Sequence, residues 1–304
     1  GLLIEITDNV GEKSLLLNLN DSAGIGFKSE ISRISKKYKN SFYLALHGYG
    51  DADMINLYDF KGKKILPKAA LKLPVGKDIQ RSMKSFNANI AIPFSSHHQY
   101  QRSDSFWANQ YVTPLEDYSH GFNQSRRQLL LNSFQSIKLS GGKYISEDIN
   151  PEKINIKIPV HESNFGDNWS DPLTYANLNE CKDYFNNIET LKKNFNEISL
   201  IIGGEKHLIL KGKSAKAKLI FKAPKSSFMK SIRNETFDDL LIGNYMETYI
   251  QNMESLYDPD FTLSVSKYSD NGASRTADEL KHYFAYYSSQ RSILDNTLFE
   301  RINI

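Results

Sequence analysis

The sequence predicts a layered α/β domain followed by an α+β module, and three observations carry that expectation. Short apolar runs alternate with amphipathic ones through the first half of the chain, as strands and helices in separate layers require. Glycine or polar clusters punctuate the ends of those runs. A Pro- and Asn-bearing connection around 150–177 then separates two different patterns, so residues 1–145 and 146–304 are expected as separate domains. At 304 residues the chain is long enough for both.

Each element follows from its local pattern. "LLIEITD", "NVGEKS" and "LLLNLND" read as two apolar strands joined by a Gly-containing polar turn. "SEISRISKKYKN" carries Ile31 and Ile34 and a basic end, which predicts a short amphipathic helix. "SFYLALHGYG" is a buried strand closing in glycines, Asp78 to Phe86 centre a second helix, and "IAIPFSS" is another short buried strand. "SHGFNQSRRQLLLNSFQSIKLSGGKYIS" is expected to close the region with a helix and a Gly-Gly stop.

Beyond the connection, Tyr184, Phe185, Ile188, Leu191 and Phe195 predict one helix over "CKDYFNNIETLKKNFNEI". "SLIIGGEKHLILKGKSAKAKLIFKAP" gives two or three strands, and "SSFMKSIRNETFDDLLIGNYMETYI" reads as mostly helical. "TADELKHYFAYYSSQRSILDN" predicts a last helix with Thr276 as N-cap and Glu279 at the capping-box position.

Composition narrows the function. A net charge of +3, with lysines spread out, argues against nucleic acid as a partner. The single cysteine, Cys181, excludes an internal disulfide and a cysteine zinc cluster, and fits a reducing compartment. No apolar run has the length of a membrane span, and no basic-then-apolar leader opens the chain, so a cytoplasmic address is expected. The chain begins with Gly1 and its first methionine is Met54, which reads as a piece of a longer protein.

The residues with most chemistry sit at the ends of apolar strands. Asp21 follows "LLLNLN", His47, Asp51 and Asp53 follow "FYLAL", and Ser95 to His98 follow "IAIPF". In a layered α/β sheet such strand ends share one rim, where ligands bind. An acid and imidazoles delivered there make Asp21, His97 and His98 candidate metal ligands. Each has a structural reading beside it. Asp21 before "SAGIG" also reads as a helix or turn cap, His47 as a strand-end histidine, and Asp53 as a turn acid. Adjacent histidines on an extended chain point opposite ways, so only one of His97 and His98 can face a shared site. Tyr100, Phe106, Trp107 and Tyr111 read either as pocket lining or as core. "YSDNGASRTADEL" offers too few ligand positions for a calcium loop.

The succession "LLLNLNDS", "FYLALHGYGDADMINLYDF" and "IAIPFSSHHQYQRSDSFWANQYVTP" resembles the second half of a metallo-β-lactamase-fold protein. The similarity is to the branch of UlaG-like lactonases and CMP-N-acetylneuraminate hydroxylase. It covers roughly residues 2–125 and extends more loosely through "TFDDLLIGNYM" and "YDPDFT". The resemblance implies an αββα sandwich holding zinc, or else Fe or Mn, at its rim, with Asp21 as a metal ligand. Phe106 and Asn109 fall in matching places, and His47, Asp53, Tyr100, Trp107, Asn109 and Tyr111 become candidates for a substrate pocket. It implies hydrolysis of an ester or phosphodiester by metal-activated water, on a small-molecule or sugar-nucleotide-like substrate.

Two departures accompany it. The H-x-H-x-D-H ligand motif of the fold's first half is absent, which implies that it belongs to a preceding portion of the same protein. Tyr111 stands where a histidine is expected before Pro114. The chain alone is therefore expected to be metal-poor and catalytically incomplete. The alternative is a non-catalytic binding or scaffold module recognising a carbohydrate or a partner protein.

Overall fold

The computed structural model describes residues 1–20, 28–95, 97–150, 158–212 and 216–266, with positions 278, 281, 282 and 285. Asp21, Thr276, Glu279 and most of the helix expected after Thr276 lie outside the described residues. The chain is mixed α/β and divides into two compact units. The first takes Gly1–Met54, Lys68–Gln101 and Phe106–Pro159; the second takes Ile55–Pro67, Arg102–Ser105 and Val160–Ile304.

The first unit opens with the expected hairpin, β1 (Leu2–Thr7) against β2 (Lys13–Asn20), antiparallel. Asp8 makes the turn: its Oδ1 accepts from the backbone N–H groups of Val10 at 3.0 Å and Glu12 at 2.9 Å. Helix α1 (Lys28–Ser35) and strand β3 (Asn40–Leu46) follow, and the next strand, β4 (Leu57–Asp59), belongs to the second unit. Helix α2 (Val75–Phe86) leads to β5 (Ile90–Phe94) and the short β6 (Leu129–Leu130). The five-stranded sheet has the order β1-β2-β3-β5-β6, with every pair after the first parallel.

Period-two alternation gives this sheet two faces. Leu15, Leu17, Leu19, Tyr43, Ala45 and Ala91 point to one, where Ile31 of α1 and Val75, Ile79, Met83 and Phe86 of α2 complete the core. Leu16, Leu44, Leu46 and Ile92 alternate onto the other face and are only half-buried, while Phe94 is exposed. Part of that second face is covered by a hairpin of β7 (Gln135–Ser140) and β8 (Lys143–Asp148), whose Tyr144 sets its edge on Phe42 at 5.6 Å.

This hairpin corrects the helix expected over 119–146. Ile137, Leu139 and Tyr144 alternate at period two, and Gly141 and Gly142 take positive φ of 59° and 64°. Two successive positive φ values make a tight hairpin turn, which a helix stop does not require.

In the second unit, α3 (Tyr175–Asn186) starts at Thr174, which forms a capping box with Asn177. The single helix expected from Cys181 onward is two: Ile188 is extended at φ −94°, ψ 97°, and α4 (Glu189–Asn194) begins after it. Strands β9 (Glu197–Ile202), β10 (Glu205–Lys211) and β11 (Lys218–Lys222) match expectation, as do helices α5 (Lys225–Asn234) and α6 (Phe237–Ile242). The end of "NYMETYI" is instead a strand, β12 (Glu247–Gln251), before α7 (Thr262–Val265). There β-branched and aromatic residues alternate, with Thr248 and Ile250 buried.

The sheet order is β10-β9-β11-β12-β4. Ile198, Leu200, Ile202, Leu219, Phe221 and Ile250 meet Phe185, Phe228, Phe237 and Leu240 from the helices in one core. Among the described residues no helix is long and apolar enough to cross a membrane.

Candidate functional site

Strands β3 and β5 are parallel neighbours, with Leu46 opposite Phe94, so the segments that follow them emerge side by side. After β3 the chain must turn sharply. Gly48 takes φ +85°, and a Cβ there would stand 2.8 Å from Thr113 Oγ1 and 2.9 Å from Tyr118 Oη. Only glycine fits both the conformation and the close approach. The turn delivers a short 3-10 helix, Asp51–Met54.

Asp51 is the acid that meets a histidine. Its Oδ1 lies 3.1 Å from His98 Nε2 and also accepts a hydrogen bond from the Tyr100 hydroxyl. His98 Nε2 and Tyr100 Oη are 3.2 Å apart, and the two rings meet edge to face with centroids at 5.1 Å. Burial by itself would raise the Asp51 carboxyl, but hydrogen bonds from His98 and Tyr100 and the charge of His98 hold it below the usual carboxylate range. Asn109 fixes this arrangement: its Oδ1 accepts from Tyr100 N at 2.7 Å and its Nδ2 donates to Tyr100 O at 2.8 Å.

The other expected site residues separate from this group. His97 turns the opposite way, against Tyr118 at 5.3 Å and Phe134 at 5.5 Å, and burial holds its imidazole below the ordinary value. Asp53 accepts from Gly50 N and pairs with Lys68 at 3.0 Å. Trp107 and Tyr111 meet edge to face at 6.1 Å and pack on a small core of Tyr49, Met54, Ala69, Tyr100 and Ala108. A cleft of about 610 Å³ lies elsewhere, lined by Lys28, Ser29, Ser32, Arg33, Lys36 and Ser85.

His47 sits beside Tyr43, with Nε2 3.1 Å from the phenol oxygen and ring centroids at 5.5 Å. Burial lowers its pKa to about 4, against a smaller opposing pull from Asp78. The folded imidazole therefore stays neutral while the unfolded one takes up a proton near the ordinary value. Its contribution is complete above about pH 6.5 and is lost as the pH falls towards 4, to a total of about 3 kcal/mol. Urea midpoints measured across that window should fall with acid in the parent and stay flatter in His47→Gln. An equal slope in both would assign the acid loss to other groups.

Sequence reasoning missed a second polar cluster, in the other unit. Arg102 donates to Asp104 and, at 2.7 Å, to Asp167, and its guanidinium lies 3.8 Å from the centre of the Tyr245 ring. Asp167 also accepts from the backbone N–H and hydroxyl of Ser227 in the first turn of α5, and Trp169 Nε1 donates to Asp104 at 3.2 Å. Together these contacts form a buried ion-pair network.

What the rim can do chemically is set by His98 and Asp51, one nitrogen and one oxygen donor. A catalytic zinc takes about three protein ligands, and no group of three His, Cys, Asp or Glu able to hold a metal is found among the described residues. By themselves these residues do not fit a complete catalytic zinc site. Comparison of the chain with protein-family models, curated proteins and solved structures finds no match.

Proposed function

We propose that this chain is the second half of a metallo-β-lactamase-like hydrolase acting on an ester or phosphodiester, with its H-x-H-x-D-H ligands carried by another segment of the same protein. The observation that supports it most is the second face of the first unit's sheet, which the β7–β8 hairpin covers only in part. The sheet's parallel strands carry helices on one face, yet Leu16, Leu44, Leu46, Ile92 and Phe94 line the other. Parallel strands with apolar residues on both faces are built for cover on both, which a second layer of the sandwich would provide. The His98–Asp51 pair lies at the strand-end rim, where the chemistry of such a layered fold is placed.

Metal analysis of the longer protein tests the reading. Asp21→Ala and His98→Ala should each lower bound metal per chain and abolish hydrolysis, while the 304-residue chain alone shows little or none. Unchanged metal content in Asp21→Ala would leave that residue as a cap. Robust zinc-dependent turnover by the 304-residue chain would overturn the division of ligands. A binding module whose apolar face seats a partner protein predicts no metal at all in the longer protein.

A further inference from the structure

We infer that the cleft between α1 and α2 is a binding site for a small phosphorylated polyol, of the sugar bisphosphate class, held by Lys28, Arg33 and Lys36. None of the strand-end rim residues takes part, so the site is independent of the hydrolase reading.

The helical repeat builds the cleft. Lys28, Ser29, Ser32 and Arg33 fall on one face of α1. Lys36 joins them because its backbone N–H donates to Ser32 O at 3.2 Å and extends the last turn. Ile31 and Ile34 take the opposite face and pack in the core. Ser85 of α2 closes the other side, with its hydroxyl donating to Arg81 O at 3.0 Å. Ser29, Ser32 and Ser85 are short beside the lysine and arginine stems, and the space they leave is about 610 Å³. That is the size of a small-molecule site, larger than a bare phosphate ion fills.

Charge and hydrogen bonding select the ligand. Among the described residues the lining holds three cations and three hydroxyls, with no carboxylate and no aromatic ring. Lys28 and Lys36 make no ion pair among the described residues. Arg33 is bound to Glu30 through Nε at 2.8 Å and through Nη2, which leaves Nη1 for a ligand. Residues 28–37 and 75–86 together carry seven cations against two carboxylates, a net of +5 where the whole chain has +3. Positive potential is therefore concentrated on these two helices. Three converging cations favour a phosphate dianion over a carboxylate monoanion. The serine hydroxyls suit the ligand's own hydroxyls, and with no ring to stack a nucleobase the body that fits is a sugar or polyol.

The test is titration calorimetry of the 304-residue chain at about 0.15 M salt, with fructose bisphosphate, fructose and inorganic phosphate as titrants. Fructose bisphosphate should bind, fructose should not, and inorganic phosphate should bind at least about 10-fold more weakly. Lys28→Ala and Lys36→Ala should each weaken fructose bisphosphate by about 10-fold, the loss of one charge-assisted hydrogen bond. Ser32→Glu sets a carboxylate in the cleft, four residues from Lys28 and from Lys36, a spacing that supports the helix. It should abolish binding and keep the thermal midpoint. Lys84→Ala, at an exposed position of α2 outside the lining, should change the affinity less than about 2-fold. Equal losses in Lys84→Ala and Lys28→Ala would show diffuse attraction and overturn the site. Inorganic phosphate binding as tightly as fructose bisphosphate would overturn the polyol. Cosedimentation with phosphatidylcholine vesicles carrying phosphatidylinositol bisphosphate, and a shift assay with duplex DNA, separate the sources of phosphate. Binding to either, with no heat from fructose bisphosphate, would overturn the soluble ligand, and so would no binding at all.

Discussion

Replacing Arg102 with alanine is expected to destabilise the second unit by about 3–5 kcal/mol. The side chain of Arg102 is 13 % exposed, that of Asp104 14 % and that of Asp167 0 %. Removing the cation leaves a wholly buried carboxylate with only the Ser227 hydrogen bonds, and a second one beside it with the Trp169 indole. It also strips the flat guanidinium from the face of Tyr245. Arg102→Lys should recover little, because a point charge cannot hold Asp104 through two parallel hydrogen bonds and reach Asp167 as well. The check is the urea midpoint at constant slope. The exposed Lys138–Glu147 pair is the control, since its loss should cost under about 1 kcal/mol. Equal effects at the two sites would show that the buried network contributes no more than a surface pair.

Phe237→Ala should cost a similar amount, about 3–5 kcal/mol, by a different mechanism. Phe237 is fully buried, and five rings surround it: Phe221 at 5.1 Å, Phe185 at 5.4 Å, Phe228 at 5.6 Å, Phe261 at 5.8 Å and Tyr184 at 6.3 Å. Four of these contacts are edge to face, the geometry that aromatic quadrupoles favour. Rings locked from several sides cannot collapse into the space that is left, so the loss includes a cavity as well as transfer energy. Phe237→Leu keeps most of the volume and should cost under about 1.5 kcal/mol, whereas Leu66→Ala, at a residue 71 % exposed, should stay within about 0.5 kcal/mol. Thermal midpoints of the three variants would rank them, and a Phe237→Ala effect as small as that of Leu66→Ala would refute the account.

The strands of the first unit were legible in the sequence because their signals are local. Asp8 and Gly11 specify the β1–β2 turn within a few residues, and Leu15, Leu17 and Leu19 declare a buried face by spacing alone. Misreadings arose where one local signal serves two structures. Gly141-Gly142 marks a helix end or a hairpin turn, and only the alternation around it decides. The break at Ile188 was hidden because its buried side chain fits the helical spacing on both sides. At the rim, the residue types were legible but their partners were not. Asp51 rather than Asp53 reaches His98 because β3 and β5 are neighbours and the 3-10 helix starts where it does, neither of which is written in either segment. The pairing of Arg102 with Asp167 has the same cause, since nothing near either residue names the other.

Arg102–Ser105 and β4 also bear on how this chain can be inherited. Both belong to the second unit, yet each is flanked in sequence by stretches of the first. A genetic exchange joining at any point between 106 and 159 would carry Asp167 away without its cation and leave β12 without the strand beside it. The two units therefore travel as one gene segment, and neither can be shuffled as a free-standing cassette.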